Sequence, residues 1–163
     1  MILDEHNLLG TELNDFAKPY FNKLFTAWQN ELFCDARINC VYDSYQSGLA
    51  LNKIDSRNPI ISFHTFGIAV DVNAEKDGIT YMKVGNSEGW KALGIPKLAA
   101  SLNIRWGGLF NGYEDCVHFD LAAILMQKYN LPDVYSVLNH LEVMAKNIYG
   151  TNWITAELNK MPL

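Results

Sequence analysis

The sequence predicts an α+β fold, with a small, mostly antiparallel sheet flanked by helices in one domain over residues 1–163. Three observations point there. Both ends of the chain carry apolar residues at helical spacing, and short runs that alternate apolar and polar residues lie between them. No strand–helix–strand repeat is visible. A chain of 163 residues is long enough for one substantial core and short for two.

The segment "KPYFNKLFTAWQNELF" places Phe21, Leu24, Phe25, Trp28 and Leu32 on one helical face, with Pro19 tolerable in a first turn. It predicts a helix over about 19–33. "RINCVY" is a short β-prone run. "DSYQSGLALNKI" is expected to form a short helix capped by Asp43 or Ser44, and "DSRNP" a loop. "SFHTFGIAVDVN" follows as a strand, then a turn-rich stretch through "AEKDGITYMKVGNSEG". "SEGWKALGIPKLAASL" reads as helical, capped near Ser87 and interrupted around Gly94 and Pro96. "NIRW" and "CVHFDL" are strand candidates on either side of the glycine-rich "GGLFNGYED". From about Pro132 to Tyr149, Val134, Val137, Leu138, Leu141 and Met144 share one face of a helix.

Composition excludes several classes. With 49% hydrophobic and 19% charged residues, the chain matches ordinary globular proteins. A net charge of -5 without any basic run argues against nucleic acid and anionic membranes as partners. No apolar run approaches the roughly 20 residues of a membrane span. "MILDEHNLLG" lacks the marks of a secretory signal, so the expectation is a cytosolic product or one whose signal has been removed. Cys34, Cys40 and Cys116 are odd in number and form no CxxC pair, which favours buried thiols over disulfides.

The opening strand raises a question: why does a half-buried segment carry His64 at one end and Asp71 within it? In an extended chain, alternate side chains point to opposite faces. Along "GIAVDVN", Ile68, Val70 and Val72 share one side, and Gly67, Ala69, Asp71 and Asn73 the other. Along "CVHFDL", Val117, Phe119 and Leu121 are opposed to Cys116, His118 and Asp120. Each strand thus has an apolar side and a side bearing a metal-competent group. His64, Asp71 and His118 match a catalytic zinc, which takes three nitrogen or oxygen ligands and leaves a fourth position for water. Asp115, three residues before His118, is placed to act as general base. Isolated histidines and aspartates on strands are more often satisfied hydrogen-bonding residues, and spacing alone leaves both readings open. Cys116 shares the His118 face, although residues two apart on a strand rarely close on one ion. His6 and His140 have no partner at useful spacing and read as solvated surface groups.

"SFHTFGIAVD" fits the pattern S-x-H-x-x-G-x-A-x-D, and "RWGGLFNGYEDCVHFDL" contains W-G-G followed by D-x-x-H-F. In these motifs the sequence resembles the zinc peptidase family of D-alanyl-D-alanine carboxypeptidases and L-alanyl-D-glutamate endopeptidases, which includes VanY-type enzymes and phage endolysins. The likeness covers about residues 37–121. It implies Zn²⁺ on His64, Asp71 and His118, with Asp115 as catalytic acid/base. It also implies structural roles for Ser62 and Gly67, a hydroxyl near the ligand and a backbone that must come close, and that Trp106, Gly107 and Gly108 form part of the cleft wall. Ser62 and Trp106 are accordingly expected beside the substrate, although Trp106 alone could equally be a core aromatic. The implied substrate is the stem peptide of bacterial peptidoglycan, cut by a monomer acting at the cell wall.

One departure bears on mechanism. The family pattern has an arginine in a "YRSY"-like segment, and this chain has "YDSYQ", with Asp43 in its place. Asp43 cannot stabilise an oxyanion and is readily a helix cap. Among Arg37, Arg57 and Arg105, Arg57 is the expected substitute because its loop runs into the "SFH" segment, with Arg105 as runner-up. The departure also admits an alternative: a degenerate relative that keeps zinc but only binds peptidoglycan or serves as a phage structural module.

Overall fold

Helix α1 (Lys18–Glu31) puts Phe21, Leu24, Phe25 and Trp28 on one buried face. Full burial of such side chains is worth about 1.5–3 kcal/mol each, so packing holds this helix rather than propensity. The computed structural model describes residues 13–31, 41–42, 51–52, 60–72, 87–110 and 114–163. Leu32, His6, Cys34, Cys40, Asp43, Arg57 and the turn-rich stretch before Ser87 lie outside them.

Among the described residues the central sheet has four strands, and in spatial order they are Val41–Tyr42 (β1), Ala69–Val72 (β4), His118–Asp120 (β6) and Arg105–Trp106 (β5). Every neighbouring pair is antiparallel. The fold class expected from sequence is therefore the one observed. A separate antiparallel pair joins β2 (Leu51–Asn52) to β3 (Ile60–Ile61). This corrects the short helix expected over "DSYQSGLALNKI" at two of its residues. Leu51 pairs with Ile61 and Asn52 with Ile60. Ladder pairing with β-branched partners outweighs the marginal stability of an isolated short helix.

Helices α2 (Ser87–Ala92) and α3 (Ile95–Ser101) realise the interrupted helix. The break is Gly94, in the left-handed region at φ 77°, with Pro96 in the first turn of α3. Helix α2 starts at Ser87, where the sequence places its start, and the Ser87 hydroxyl donates to Glu114 Oε1 at 2.9 Å, tethering α2 to the loop before β6. Helix α4 (Ala122–Tyr129), for which the sequence reading has no element, follows β6 directly and ends at Asn130, φ 53°. Helix α5 (Val134–Tyr149) is capped by Asp133, whose carboxylate accepts the Ser136 N–H at 2.7 Å.

The core joins these layers through aromatic rings. Trp28 of α1 meets Trp90 of α2 at 6.1 Å and Phe119 of β6 at 5.7 Å between centroids. Both helices thus cover the Phe119 face of the sheet, and alternation leaves His118 and Asp120 to the opposite face. Asn14, almost fully buried, ties the chain ends together: its side chain donates to the Met161 carbonyl at 2.8 Å and its amide to the Gly67 carbonyl at 2.8 Å. Among the described residues, no helix is long and apolar enough to cross a membrane.

Candidate metal centre

His64 is delivered by a short 3-10 turn, Phe63–Phe66. Ser62 opens the turn by accepting the His64 N–H on its hydroxyl at 3.2 Å. Gly67 closes it at φ 67°, where a side chain would be strained. That reversal feeds directly into β4, bringing His64 back over the strand that carries Asp71. Asp71 in turn faces His118 across the β4–β6 ladder. Two strands and one turn therefore fix three side chains in one place.

The three groups converge. His64 Nε2 lies 3.2 Å from Asp71 Oδ1 and 3.3 Å from His118 Nδ1, and His118 Nδ1 lies 3.6 Å from Asp71 Oδ1. A tetrahedral zinc with bonds of about 2.0–2.1 Å requires ligand atoms about 3.3–3.4 Å apart, so the triangle has the needed size. Asp71 Oδ1 is buried and accepts no well-formed hydrogen bond among the described residues. A buried carboxylate oxygen facing two imidazole nitrogens is a donor set that fits a cation. Two nitrogens and one oxygen suit zinc or another transition ion better than calcium or magnesium. His64, Asp71 and His118 could hold a metal ion.

Electrostatics agree with the geometry. Burial pushes the Asp71 carboxyl up, but the two imidazoles outweigh it and hold the group well below the usual carboxylate range. Burial likewise opposes protonation of His118. Its hydrogen bond to Asp120 and the negative charges of Asp120 and Asp71 prevail, pulling it up to about 9 in the metal-free protein. His118 Nε2 lies 2.7 Å from Asp120 Oδ2.

Asp115 lies on the short loop before β6, partly exposed. Its carboxyl is raised above the ordinary value, first by burial and then by the Asp71 charge, against the lowering pull of His118 and His64. It thus lies within the field of all three candidate ligands. Its backbone is fixed by a donation from its N–H to the Gly107 carbonyl at 3.0 Å, and its own carbonyl accepts the His118 N–H at 3.1 Å. Gly107 is a close-approach glycine. A Cβ there would collide with the Asp115 carbonyl oxygen and stand 3.0 Å from the His118 Cβ.

Other expectations find different places. Trp106 is 3% exposed and donates its indole N–H to the Cys116 carbonyl at 2.8 Å. It braces the loop from within the core and does not present a face in the cleft. Cys116 is a buried thiol outside the convergent group. Arg105, the runner-up for oxyanion stabilisation, forks onto Asp120 instead, with contacts of 2.6–3.0 Å. His140 is not a solvated surface group: half-buried, it packs on the Tyr129 ring at 4.3 Å. The role of Asp120 as partner to His118, and of Arg105 as its clamp, is what sequence reasoning missed. The available signal was Asp120 lying two residues after His118, on the same strand face.

No curated protein matches the chain. Residues 56–121, less than half of it, match a family model described as D-alanyl-D-alanine carboxypeptidase. The matched span contains the three convergent ligand candidates, Asp115 and both Arg57 and Arg105, and the match supports a metallopeptidase.

Proposed function

We propose that the protein is a zinc peptidase that hydrolyses peptide bonds in the stem peptides of bacterial peptidoglycan. The observation that carries this reading is the triangle of His64 Nε2, Asp71 Oδ1 and His118 Nδ1, sized for a tetrahedral ion. The matched family model supplies the support for the substrate class. Zinc bound there supplies Lewis acidity toward the scissile carbonyl and makes a water ionisable near neutral pH.

The chain's own groups do the rest. Asp115 takes the proton of the attacking water and returns it to the leaving amine. Its partial burial, which raises its affinity for a proton, suits a carboxylate that must hold one transiently. His64, Asp71 and His118 remain ligands, and the Ser62 hydroxyl keeps the His64 turn in shape. Arg57 supplies the positive charge for the tetrahedral oxyanion, since Arg105 is committed to Asp120. The enzyme works as a monomeric single domain at the bacterial cell wall, in a bacterial or phage setting.

The test is digestion of purified peptidoglycan by wild type and Asp115→Ala, with zinc content measured in each. New amine termini from wild type alone support the peptidase. Sedimentation with the wall and no release by wild type would instead show a binding module. Mass spectrometry of the fragments then separates carboxypeptidase from endopeptidase action.

A further inference from the structure

Asp120 is wholly buried, yet every approach to its carboxylate is taken by a donor. Oδ1 accepts the Ala122 N–H at 2.9 Å and Arg105 Nε at 3.0 Å. Oδ2 accepts Arg105 Nη2 at 2.6 Å, Arg105 Nε at 3.0 Å and His118 Nε2 at 2.7 Å. The carboxylate is thereby pinned from two directions, by β5 through Arg105 and by the start of α4 through Ala122. Arg105 is itself pinned. Its guanidinium lies 5.1 Å from the Phe63 ring centroid and 4.4 Å from that of Phe110. Phe63 precedes His64 in the chain, and the Phe110 ring lies 5.6 Å from the His118 ring.

We infer that Arg105 and Asp120 form a positioning pair that fixes the His118 ring with its proton on Nε2 and its Nδ1 lone pair turned to the metal. An ionised carboxylate only accepts hydrogen bonds, so the ring nitrogen facing Asp120 must carry a proton. In a neutral imidazole the other nitrogen is then the free donor, and Nδ1 is the atom that faces His64 Nε2 at 3.3 Å. Turning the ring over would break the 2.7 Å contact and put a ring carbon, in place of an N–H, against the buried carboxylate. Arg105 thus acts on the reaction through His118, not on the substrate. The inference rests on the metal reading above and adds to it the group that decides which nitrogen binds.

The test compares wild type with Arg105→Ala, Arg105→Lys and Asp120→Asn, with folding verified by circular dichroism. Zinc dissociation constants are measured by competition with a chelating dye. Arg105→Ala and Asp120→Asn should weaken zinc by about 10–100-fold, with partial recovery in Arg105→Lys, which keeps the charge but not the fork. NMR of nitrogen-labelled histidine in the cadmium-loaded protein should place the metal on Nδ1 of His118 in wild type and on a mixture of ring nitrogens in Asp120→Asn. Should Asp120→Asn fail to fold, the two Arg105 variants carry the comparison. Wild-type zinc affinity in folded variants overturns the inference alone, as does Arg105→Ala changing KM or kcat with zinc affinity intact. A wild type that takes no zinc overturns both the inference and the proposed function.

Discussion

Asp71 and His118 stand directly opposite each other on antiparallel strands, and Asp71 Oδ1 lies 3.6 Å from His118 Nδ1. That register turns two separate sequence signals into one site. In the metal-free protein it also makes the two residues an ion pair, with consequences for pH.

Metal uptake should release a proton. His118 is pulled up to about 9 without metal, so at neutral pH a cation must displace its proton. Apparent zinc affinity should rise about tenfold per pH unit between about pH 6.5 and 9, then level off. Chelator competition across that range checks this. A flat profile would show that His118 is already neutral in the free protein.

The same shift sets the stability of the metal-free protein. A histidine whose folded value exceeds its ordinary 6.5 contributes stability that is complete below 6.5 and lost as pH rises through about 9. The melting temperature of the metal-free protein should therefore fall by several degrees over that interval. Zinc-loaded protein should show no such fall, because its His118 is neutral throughout. Paired thermal melts decide the point.

Asp115→Asn should separate stability from activity. Folding raises the proton affinity of Asp115, mainly by burial, so its charge at neutral pH opposes the folded state. The amide should leave the protein equally or more stable while lowering peptide hydrolysis by about 100-fold or more with zinc retained. A destabilised, active variant would give Asp115 a structural role.

Alternation correctly separates Phe119, which packs on Trp28 and Trp90, from His118 and Asp120, although burial does not mark the faces: Ala69, Cys116 and Asp120 are as buried as Val70 and Phe119. What alternation cannot supply is register between strands distant in sequence. Arg105 could not be assigned until its position opposite Asp120 was known. Trp106, opposite Phe119 in the same pair, turns into the core for the same reason. Helix α4 escaped notice because "AAILM" is apolar at every position and shows no stripe. The short helix around Leu51 gives way to pairing with Ile60 and Ile61, a partner strand outside the window in which helical periodicity is read.

Gly107→Ala should damage the site by steric means. Its Cβ would enter the space of the Asp115 carbonyl oxygen and press on His118. A stability loss of about 1–3 kcal/mol is expected, with reduced turnover as Asp115 is pushed away. Denaturant titration and peptidoglycan assays on the same preparation measure both.

Arg57→Ala should lower turnover by about 100- to 1000-fold with zinc content unchanged, the cost of losing one oxyanion donor. Wild-type turnover in that variant would mean that the charge comes from elsewhere.

The central claim is that His64, Asp71 and His118 hold one zinc ion. X-ray absorption at the zinc edge, on protein purified without added metal, tests it most directly. The expected result is near one zinc per chain in a four-coordinate shell of nitrogen and oxygen at about 2.0–2.1 Å, lost in His118→Ala. Absence of bound zinc, or a full complement retained by His118→Ala, would contradict it.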